Sequence, residues 1–394
     1  MAPRRAWADL PPELLLCVTD RLTALRCYLA ARGVCAAWRS ALAPAAPYLL
    51  FGHRPAVAVS LPLDRRRCIG SSDGWLAVAT TKPNGNPPDV MLVNPLTGQE
   101  VSMPFLPHVT STCDSYLFMP FPPRRSPWPV LDSKVVFAPN PKKKDDFTVV
   151  VAALGGRTLA CISARREAAW SVEEIAGNAE LADVAYHGGK FYCLATNGEV
   201  HVVHVRRRGP RTKRMLEPLL PKNAGEVFAA PYYRVSGRAG GAKYLAFCEG
   251  DMYQIWRNTG PAFDLLPVAG GGEFHASENE VFVFRYDAAA PARRRSCWEA
   301  AADLGGHSVF VGLNNAVSVR ADAVPGVKGD CVYWVCQDAG YTAMEFDLRT
   351  RRATPCVEWQ KNAAYWYILG DMASRDKRSA EILQRQQKRA ELGV

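Results

Sequence analysis

The 394-residue chain is 48% hydrophobic and 22% charged, which is ordinary for a globular protein and leaves enough chain for one small and one large domain. Its 48 Lys and Arg outnumber its 38 Asp and Glu, so the net charge of +10 favours acidic partners without bearing on the fold. No run approaches about 18 apolar residues, and the opening MAPRRAWADL lacks the apolar core of a signal peptide. We therefore expect an intracellular protein of the nucleus and/or cytoplasm, with no membrane segment.

The 12 cysteines form no C-x-x-C pair and no Cys/His cluster with zinc-ligand spacing. Most lie inside apolar strand or helix patterns, as Cys193 does in the run FYCL. Such cysteines are predicted to be small buried hydrophobic residues in a reducing compartment. No metal or other cofactor is expected.

The first predicted elements along the chain are helices, within Trp7–Ser40. The sequence LPPELL at 10–15 allows a helix to begin, because proline fits a first turn where its missing amide is not needed. Leu14, Val18 and Leu22 then recur on one helical face.

Two further short helices are predicted. The second ends at Gly33, and the third follows from an apolar stripe with four-residue spacing at Val34, Trp38 and Leu42. Three helices in about 40 residues are near the lower limit for independent stability, so the unit is expected to need a partner surface.

Three pieces of this stretch, LPPELL at 10–15, RL at 21–22 and RGVCAAWR at 32–39, resemble the F-box motif. The resemblance implies a helical module at 1–45 that binds a Skp-family adaptor and, through it, a cullin–RING ubiquitin ligase. It implies adaptor contacts from the apolar residues Leu10, Pro11, Leu14, Leu15, Val18, Leu22, Val34 and Trp38. The segment Thr23–Tyr28 departs from the motif, since Thr23 stands where proline is usual. The alternative is a three-helix cap packed on the following domain.

The pattern changes from helix to strand after an Ala- and Pro-rich linker at 46–62, which ends in a predicted strand at Val57–Val59. Apolar runs then alternate with Gly, Asn, Asp and basic turns. They form five groups of about four strands, and the groups begin at Cys68, Lys134, Leu181, Lys243 and Ser308. This period of about 40–60 residues predicts a β-propeller at 63–358, because stacked blades bury strand faces that one blade would expose.

The number of blades and the C-terminal segment are predicted from weaker patterns. Val227–Val235 is a candidate strand of a sixth blade, and Arg214–Leu216 is assigned to the third group. In the final segment, 359–394, aromatic residues are predicted to close the ring and a polar helix is predicted from Ser374 to Glu391. The predicted fold is thus mainly β, with an N-terminal three-helix F-box, a propeller of about five or six blades and a helical C-terminal tail.

Six pieces of the β half carry a second resemblance. They are, in chain order, GSSDGWL at 70–76, LVNPLTG at 92–98, AYHGGKFY at 185–192, FVFRYD at 282–287, LGGHSVFVG at 304–312 and PGVKGDCVYW at 325–334. They resemble plant F-box proteins with a KIB-type, kelch-like β-propeller. This resemblance covers roughly residues 60–358 and strengthens the F-box assignment, because the two modules occur together in that family.

Two sequence patterns could carry catalysis. GSSDG at 70–74 matches G-x-S-x-G, but a nucleophile elbow needs a strand–turn–helix and the following WLAVAT is a strand pattern, so a hairpin is predicted. His201 and His204 lie three apart on a predicted strand, where they face opposite sides, although His187 could approach one of them across a hairpin. No catalytic residue and no metal site are expected.

Basic clusters at 65–67, 142–144, 206–208 and 293–295 all fall between predicted strands. Charge runs in turns are usually solvated and oppose edge-to-edge pairing of sheets. The run RRRGPRTKR at 206–214 could also serve nuclear import or bind a polyanion. Nucleic-acid binding is not expected, because stacking aromatic residues are not interleaved with the arginines.

The two resemblances imply a non-catalytic substrate receptor of an SCF-type (Skp–cullin–F-box) ubiquitin ligase, whose propeller binds an unidentified target protein. The candidate target-binding loops are the long ones at 104–132, 209–225, 236–242 and 258–280, because function tends to lie on long loops. Two alternatives stay open: a ligase-independent propeller scaffold with a degenerate F-box, and a propeller hydrolase or metal enzyme.

Overall fold

The structure, a computed structural model, describes most of the predicted β region and parts of the helical region. The described residues are 10–19, 25–42, 48–51, 66–80, 89–95, 97–104, 133–139, 147–163, 170–175, 179–203, 214–215, 217–219, 228, 232, 241–265, 274–290, 296–324, 326–336, 341–360 and 364–367. The predicted strand at Val57–Val59 and the predicted helix at Ser374–Glu391 lie outside them. No helix within these ranges is long and apolar enough to cross a membrane.

Three short helices form the N-terminal part, which we call the helical module (Leu10–Leu42): α1 (Pro12–Thr19), α2 (Leu25–Gly33) and α3 (Ala36–Ala41). The Sγ of Cys35 caps α3 by accepting a hydrogen bond from the Trp38 amide at 3.4 Å. Among the described residues of the module, Leu15, Ala31 and Leu42 form a buried core, with Leu10, Trp38 and Ala41 packed against it.

Five sheets surround the centre of the large domain, and we call them blades 1 to 5. Blade 1 contains β2 (Arg66–Ser72), β3 (Trp75–Thr80), β4 (Asp89–Val93) and β5 (Glu100–Ser102). Blade 2 contains β6 (Ser133–Pro139), β7 (Phe147–Ala153), β8 (Thr158–Ser163), β9 (Ser171–Glu174) and β13 (Arg214–Met215). Blade 3 contains β10 (Leu181–His187), β11 (Lys190–Ala195), β12 (Val200–Val203) and β14 (Glu217–Pro218).

The last two blades differ from simple four-stranded meanders. Blade 4 contains β15 (Gly241–Cys248), β16 (Asp251–Asn258), β19 (Val281–Tyr286) and β20 (Trp298–Ala300), and a separate hairpin follows β16 with strands β17 (Phe263–Leu265) and β18 (Phe274–Ala276). Blade 5 contains, in spatial order, β22 (Val317–Arg320), β21 (His307–Phe310), β23 (Cys331–Cys336), β24 (Tyr341–Asp347) and β25 (Arg352–Gln360). A short 3-10 helix at Ala321–Ala323 follows β22.

Strands are buried on both faces because each blade is packed between two others. In β7, Val149 and Val151 pack in a core shared with blade 1, whereas Val150 and Ala152 pack in a core shared with blade 3. This is the period of two expected for a strand, with both faces apolar instead of one. The continuous run FTVVVAA is therefore the local signature of a blade stacked on both sides.

The structure differs from the predicted strands at three places. Arg214–Met215 pairs in parallel with β9 and so extends blade 2, whereas β14 completes blade 3. In the candidate sixth-blade strand Val227–Val235, the described residues belong with blade 4: Phe228 makes a single bridge to Trp298, and Tyr232 packs on Phe282 and Phe284. In blade 5, the prediction lacks β22, which pairs with β21, and β21 and β23 run parallel.

The ring is closed by two strands that are far apart in sequence. β1 (Tyr48–Phe51) lies in the predicted linker and pairs antiparallel with β26 (Ala364–Tyr367), in the aromatic segment predicted to close the ring. On one side, Trp366 packs against Phe310 of blade 5 at 4.9 Å between ring centroids. On the other side, the Ser71 hydroxyl donates to the Trp366 carbonyl at 2.6 Å, which joins β26 to blade 1.

Candidate functional site

The predicted adaptor-binding residues divide into an exposed group and a buried group. Leu14 and Val18, one turn apart on α1, are 54% and 49% exposed, and Val34, between α2 and α3, is 54% exposed. In the part of the chain that the structure describes, these are the exposed large hydrophobic side chains, and none of them lies on the propeller. Exposed apolar side chains that lie together on one small module indicate a surface that binds a partner, because they contribute little to the stability of the fold.

The remaining predicted adaptor residues have structural roles or lie outside the described chain. Leu15 is 1% exposed in the core of the module, and Leu10 and Trp38 pack against that core half-buried. Pro11 is exposed. Leu22 lies outside the described residues. The predicted single stripe of Val34, Trp38 and Leu42 is wrong, because Val34 precedes α3 and faces out while Leu42 is buried.

The serine of the G-x-S-x-G pattern lies beside a hairpin, as predicted. Ser72 pairs with Trp75 across the turn Asp73-Gly74, whose φ values are 47° and 80°, as a tight two-residue turn requires. The turn leads into β3, not into a helix, so the strand–turn–helix geometry of a nucleophile elbow is not formed there.

A loop at 311–316 connects two blades that are not neighbours through Asn315, a residue that no sequence pattern marked. The Asn315 amide donates to the Ser71 carbonyl of blade 1 at 2.8 Å. Its side chain accepts from the Tyr186 amide of blade 3 at 2.9 Å and donates to the Tyr186 carbonyl at 3.2 Å. Ser71 and Tyr186 lie near the ends of β2 and β10, so this loop fixes the first strands of blades 1 and 3 relative to each other.

A buried ion pair joins three blades at the centre of the ring. Lys134 on β6 and Asp183 on β10 are each 1% exposed, and Nζ lies 2.5 Å from Oδ1. The second oxygen of Asp183 accepts from the Leu245 amide on β15 at 2.8 Å. Burial raises the pKa of Asp183 above its usual range and outweighs the opposing effects of Lys134 and the backbone amides. A charged residue inside each of two apolar strands was the sequence signal that could have identified this pair.

The histidines weighed as metal ligands do not assemble into a ligand set. His201 on β12 is 1% exposed, and its Nε2 lies 3.7 Å from a carboxylate oxygen of Glu199. His187 stacks on Phe247 with 4.2 Å between centroids, and His204 lies outside the described residues. Within the described ranges, no group of three or more His, Cys, Asp or Glu could hold a metal ion. The basic clusters at 142–144, 206–208 and 293–295 also fall outside those ranges.

A second buried lysine lies between blades 3 and 4. Lys243 on β15 donates to the Thr196 carbonyl of blade 3, and its Nζ lies 4.4 Å from the centroid of the Trp256 ring. Burial lowers the pKa of Lys243 to about 7, because the charged ammonium loses its hydration there.

The buried Lys243 amine predicts a pH dependence of stability. Because the folded pKa of about 7 lies below the unfolded value of about 10.4, the unfolded state binds more protons between these limits. We expect Lys243 to make the free energy of unfolding rise with pH from about 7 to about 10, by up to about 1.4 kcal/mol per pH unit. Urea unfolding of the wild type and of Lys243→Met across this range tests it. If the free energy of unfolding changed with pH in the same way for both proteins, the assigned role of Lys243 would be wrong.

Five stacked β-sheets, closed into a ring by strands from near both ends of the chain, define a five-bladed β-propeller. Residues 49–359 match the family model described as the KIB1-4 beta-propeller, and the chain belongs to that family. The match begins earlier than the predicted boundary at 63 and so includes most of β1. No curated protein matches the chain. Membership in this family indicates a propeller that acts in protein interaction.

Proposed function

We propose that this protein is the substrate receptor of an SCF-type ubiquitin ligase, with the helical module acting as an F-box. The observation that carries the proposal is the exposure of Leu14, Val18 and Val34, three large apolar side chains on one small helical module. An adaptor that covers these side chains would remove apolar surface from water at about 25 cal/mol per Å². It would also supply the partner surface that so small a helical unit needs.

The propeller contributes a rigid support for a bound target protein. Its blades are joined by the Lys134–Asp183 pair, by Asn315 and by the strands β1 and β26, so a target bound to one blade is held at a fixed distance from the ring centre. Bringing target lysines close to a ubiquitin-conjugating enzyme raises their effective concentration. In this proposal the chain itself performs no bond chemistry and requires no cofactor.

The test is capture of a Skp-family adaptor by the full chain. We expect the double variant Leu14→Asp/Val18→Asp to weaken adaptor binding by at least about tenfold, because two apolar contacts become charged groups that the interface would have to bury. The control is Ala37→Asp, which adds one negative charge, half that of the double variant, at an exposed position of α3. It should retain most of the binding.

Each outcome has a definite meaning for the proposal. A folded wild-type chain that captures no adaptor would contradict the ligase role and favour the ligase-independent scaffold. Equal capture of the adaptor by the double variant and by Ala37→Asp would show that Leu14 and Val18 do not lie in the interface. Circular dichroism of all three proteins separates a lost contact from a lost fold.

A further inference from the structure

An exposed threonine, Thr354, lies on the outermost strand of blade 5. This strand, β25, pairs with β24 on one side and with no described strand on the other. Four of the five residues at 352–356 are exposed, and Thr354 is one of them. The Thr354 hydroxyl is therefore accessible to a second protein, and the proposed adaptor contacts on the helical module make no use of it.

The outermost strand is weakly held immediately after Thr354. The register of β24 and β25 shifts between Pro355 and Val357, so Cys356 is the extra residue of a β-bulge and has no Cα partner on β24. Pro355 has no N–H to donate to the sheet. Because two successive residues add little to the ladder of hydrogen bonds, this part of an edge strand separates from its sheet at low cost, as entry into the cleft of a modifying enzyme requires.

Arginines precede the exposed hydroxyl of Thr354, and a proline follows it. Arg349, Arg351 and Arg352 lie five, three and two residues before the threonine, and all three are exposed. Arg351 also binds Glu280, but 57% of the arginine side chain stays exposed. A hydroxyl between arginines and a proline is the substrate pattern of a proline-directed protein kinase whose groove carries carboxylates for the arginines.

We propose that Thr354 is a phosphorylation site for a proline-directed protein kinase with an acidic substrate groove. In this reaction the Thr354 Oγ1 attacks the γ-phosphorus of ATP, the bond from that phosphorus to the bridging oxygen breaks, and ADP leaves. The hydroxyl proton passes to a base of the kinase. The product carries a charge of about −1.5 to −2 in place of a neutral hydroxyl. The site does not depend on the proposed ligase role.

The phosphate on Thr354 lies beside an ion pair that is already present. Thr354 and Glu345 are direct partners across the strands, so their side chains lie on the same face of blade 5. The Glu345 side chain is 8% exposed, with one oxygen 2.5 Å from the Lys328 Nζ and the other accepting from the Tyr333 hydroxyl at 2.8 Å. The phosphate repels the Glu345 carboxylate and attracts the 67% exposed Lys328, so the lysine exchanges one anion for the other.

This exchange reaches the closure of the ring through Tyr333. Without Lys328, the Glu345 carboxylate keeps Tyr333 as its hydrogen-bond donor and faces the phosphate across the strand. The Tyr333 ring stacks on Phe310 with 4.6 Å between centroids and packs edge-on against Trp366 at 6.3 Å. Because Trp366 belongs to the closing strand β26, phosphorylation of Thr354 is expected to weaken the contact between β26 and blade 5.

The test incubates the folded full chain with ATP and a recombinant kinase of the dual-specificity tyrosine-regulated class, which is proline-directed. Mass spectrometry then measures the initial rate of phosphate incorporation at Thr354. We expect Thr354→Ser to be phosphorylated, Pro355→Ala to lower the rate at least about tenfold, and Arg352→Gln to lower it several-fold. The matched control Arg285→Gln removes the same charge from an exposed residue of blade 4 and should leave the rate unchanged.

Thermal unfolding of the phosphorylated and unphosphorylated chains tests the effect on the ring. We expect the phosphate to lower the unfolding midpoint by about 2–4 °C. In Glu345→Gln the amide still accepts from the Tyr333 hydroxyl but carries no charge, so phosphorylation should leave the midpoint of this variant nearly unchanged.

The same kinase reaction on a heat-unfolded sample separates a site of the folded protein from a sequence that is reached only after unfolding. Phosphate that appears at Thr354 only in the unfolded sample would overturn the proposal. Equal rates for the wild type and Pro355→Ala, or an unfolding midpoint that the phosphate does not lower, would also overturn it.

Discussion

Asp183→Ala is expected to lower the free energy of unfolding by about 3–5 kcal/mol. The variant leaves the Lys134 ammonium 1% exposed without the carboxylate that lies 2.5 Å from it. It also removes the acceptor of the Leu245 amide on blade 4. Losing one member of a buried pair costs far more than the pair contributes, because the other charge stays desolvated. Urea unfolding followed by tryptophan fluorescence measures the change.

Two controls show that the effect comes from an unpaired buried charge. The double variant Lys134→Met/Asp183→Leu should recover most of the stability, because apolar side chains of similar volume often replace buried ion pairs at no cost. Asp264→Ala removes an exposed carboxylate that lies 2.7 Å from His275 and should change stability by less than about 1 kcal/mol. A loss below about 1 kcal/mol for Asp183→Ala would mean that the pair does not hold blades 2, 3 and 4 together.

Trp366→Ala is expected to destabilise the protein by about 3–5 kcal/mol, through a cavity where the ring closes. The indole is 6% exposed and packs edge-on against Phe310 at 4.9 Å and Tyr333 at 6.3 Å between centroids. Because Trp366 lies between blade 5 and blade 1, its loss should loosen the closure without disturbing blades 2 and 3. Thermal unfolding gives the stability, and hydrogen exchange locates the loosened strands.

The matched control for Trp366→Ala is Ser71→Ala, which removes only the hydroxyl that donates to the Trp366 carbonyl at 2.6 Å. We expect a loss of about 0.5–1.5 kcal/mol from this single hydrogen bond. Faster exchange spread evenly over all five blades of Trp366→Ala would contradict a local role in closure.

Most strands of blades 1 to 4 could be predicted because their information is local. Each is an apolar run bounded by turn residues, such as the Gly188-Gly189 hairpin with φ values of 56° and 83°. The short outer strands were harder to predict. For example, β13 has two residues, and its partner β9 comes about 40 residues earlier in the chain. No local pattern specifies which blade such a strand joins.

The helical module shows the same limit within a smaller unit. The spacing of Leu14 and Val18 predicted a shared face, and both side chains are exposed on α1. Spacing alone could not say that Leu15 would fill the core while its neighbour Leu14 stays outside. That choice depends on where α2 and α3 pack, since one residue of rotation on a helix moves a side chain by about 100°.

The amino-acid sequence by itself determined the β-propeller class, the order of its main strands and the hairpin around Ser72, because each depends on side-chain alternation and turn residues within a few positions. Tertiary structure alone decided the five-blade count, the closure of β1 on β26 and the joining of three blades by Asp183. These depend on contacts between residues tens to hundreds of positions apart, and the geometry of the whole ring selects which of those contacts form.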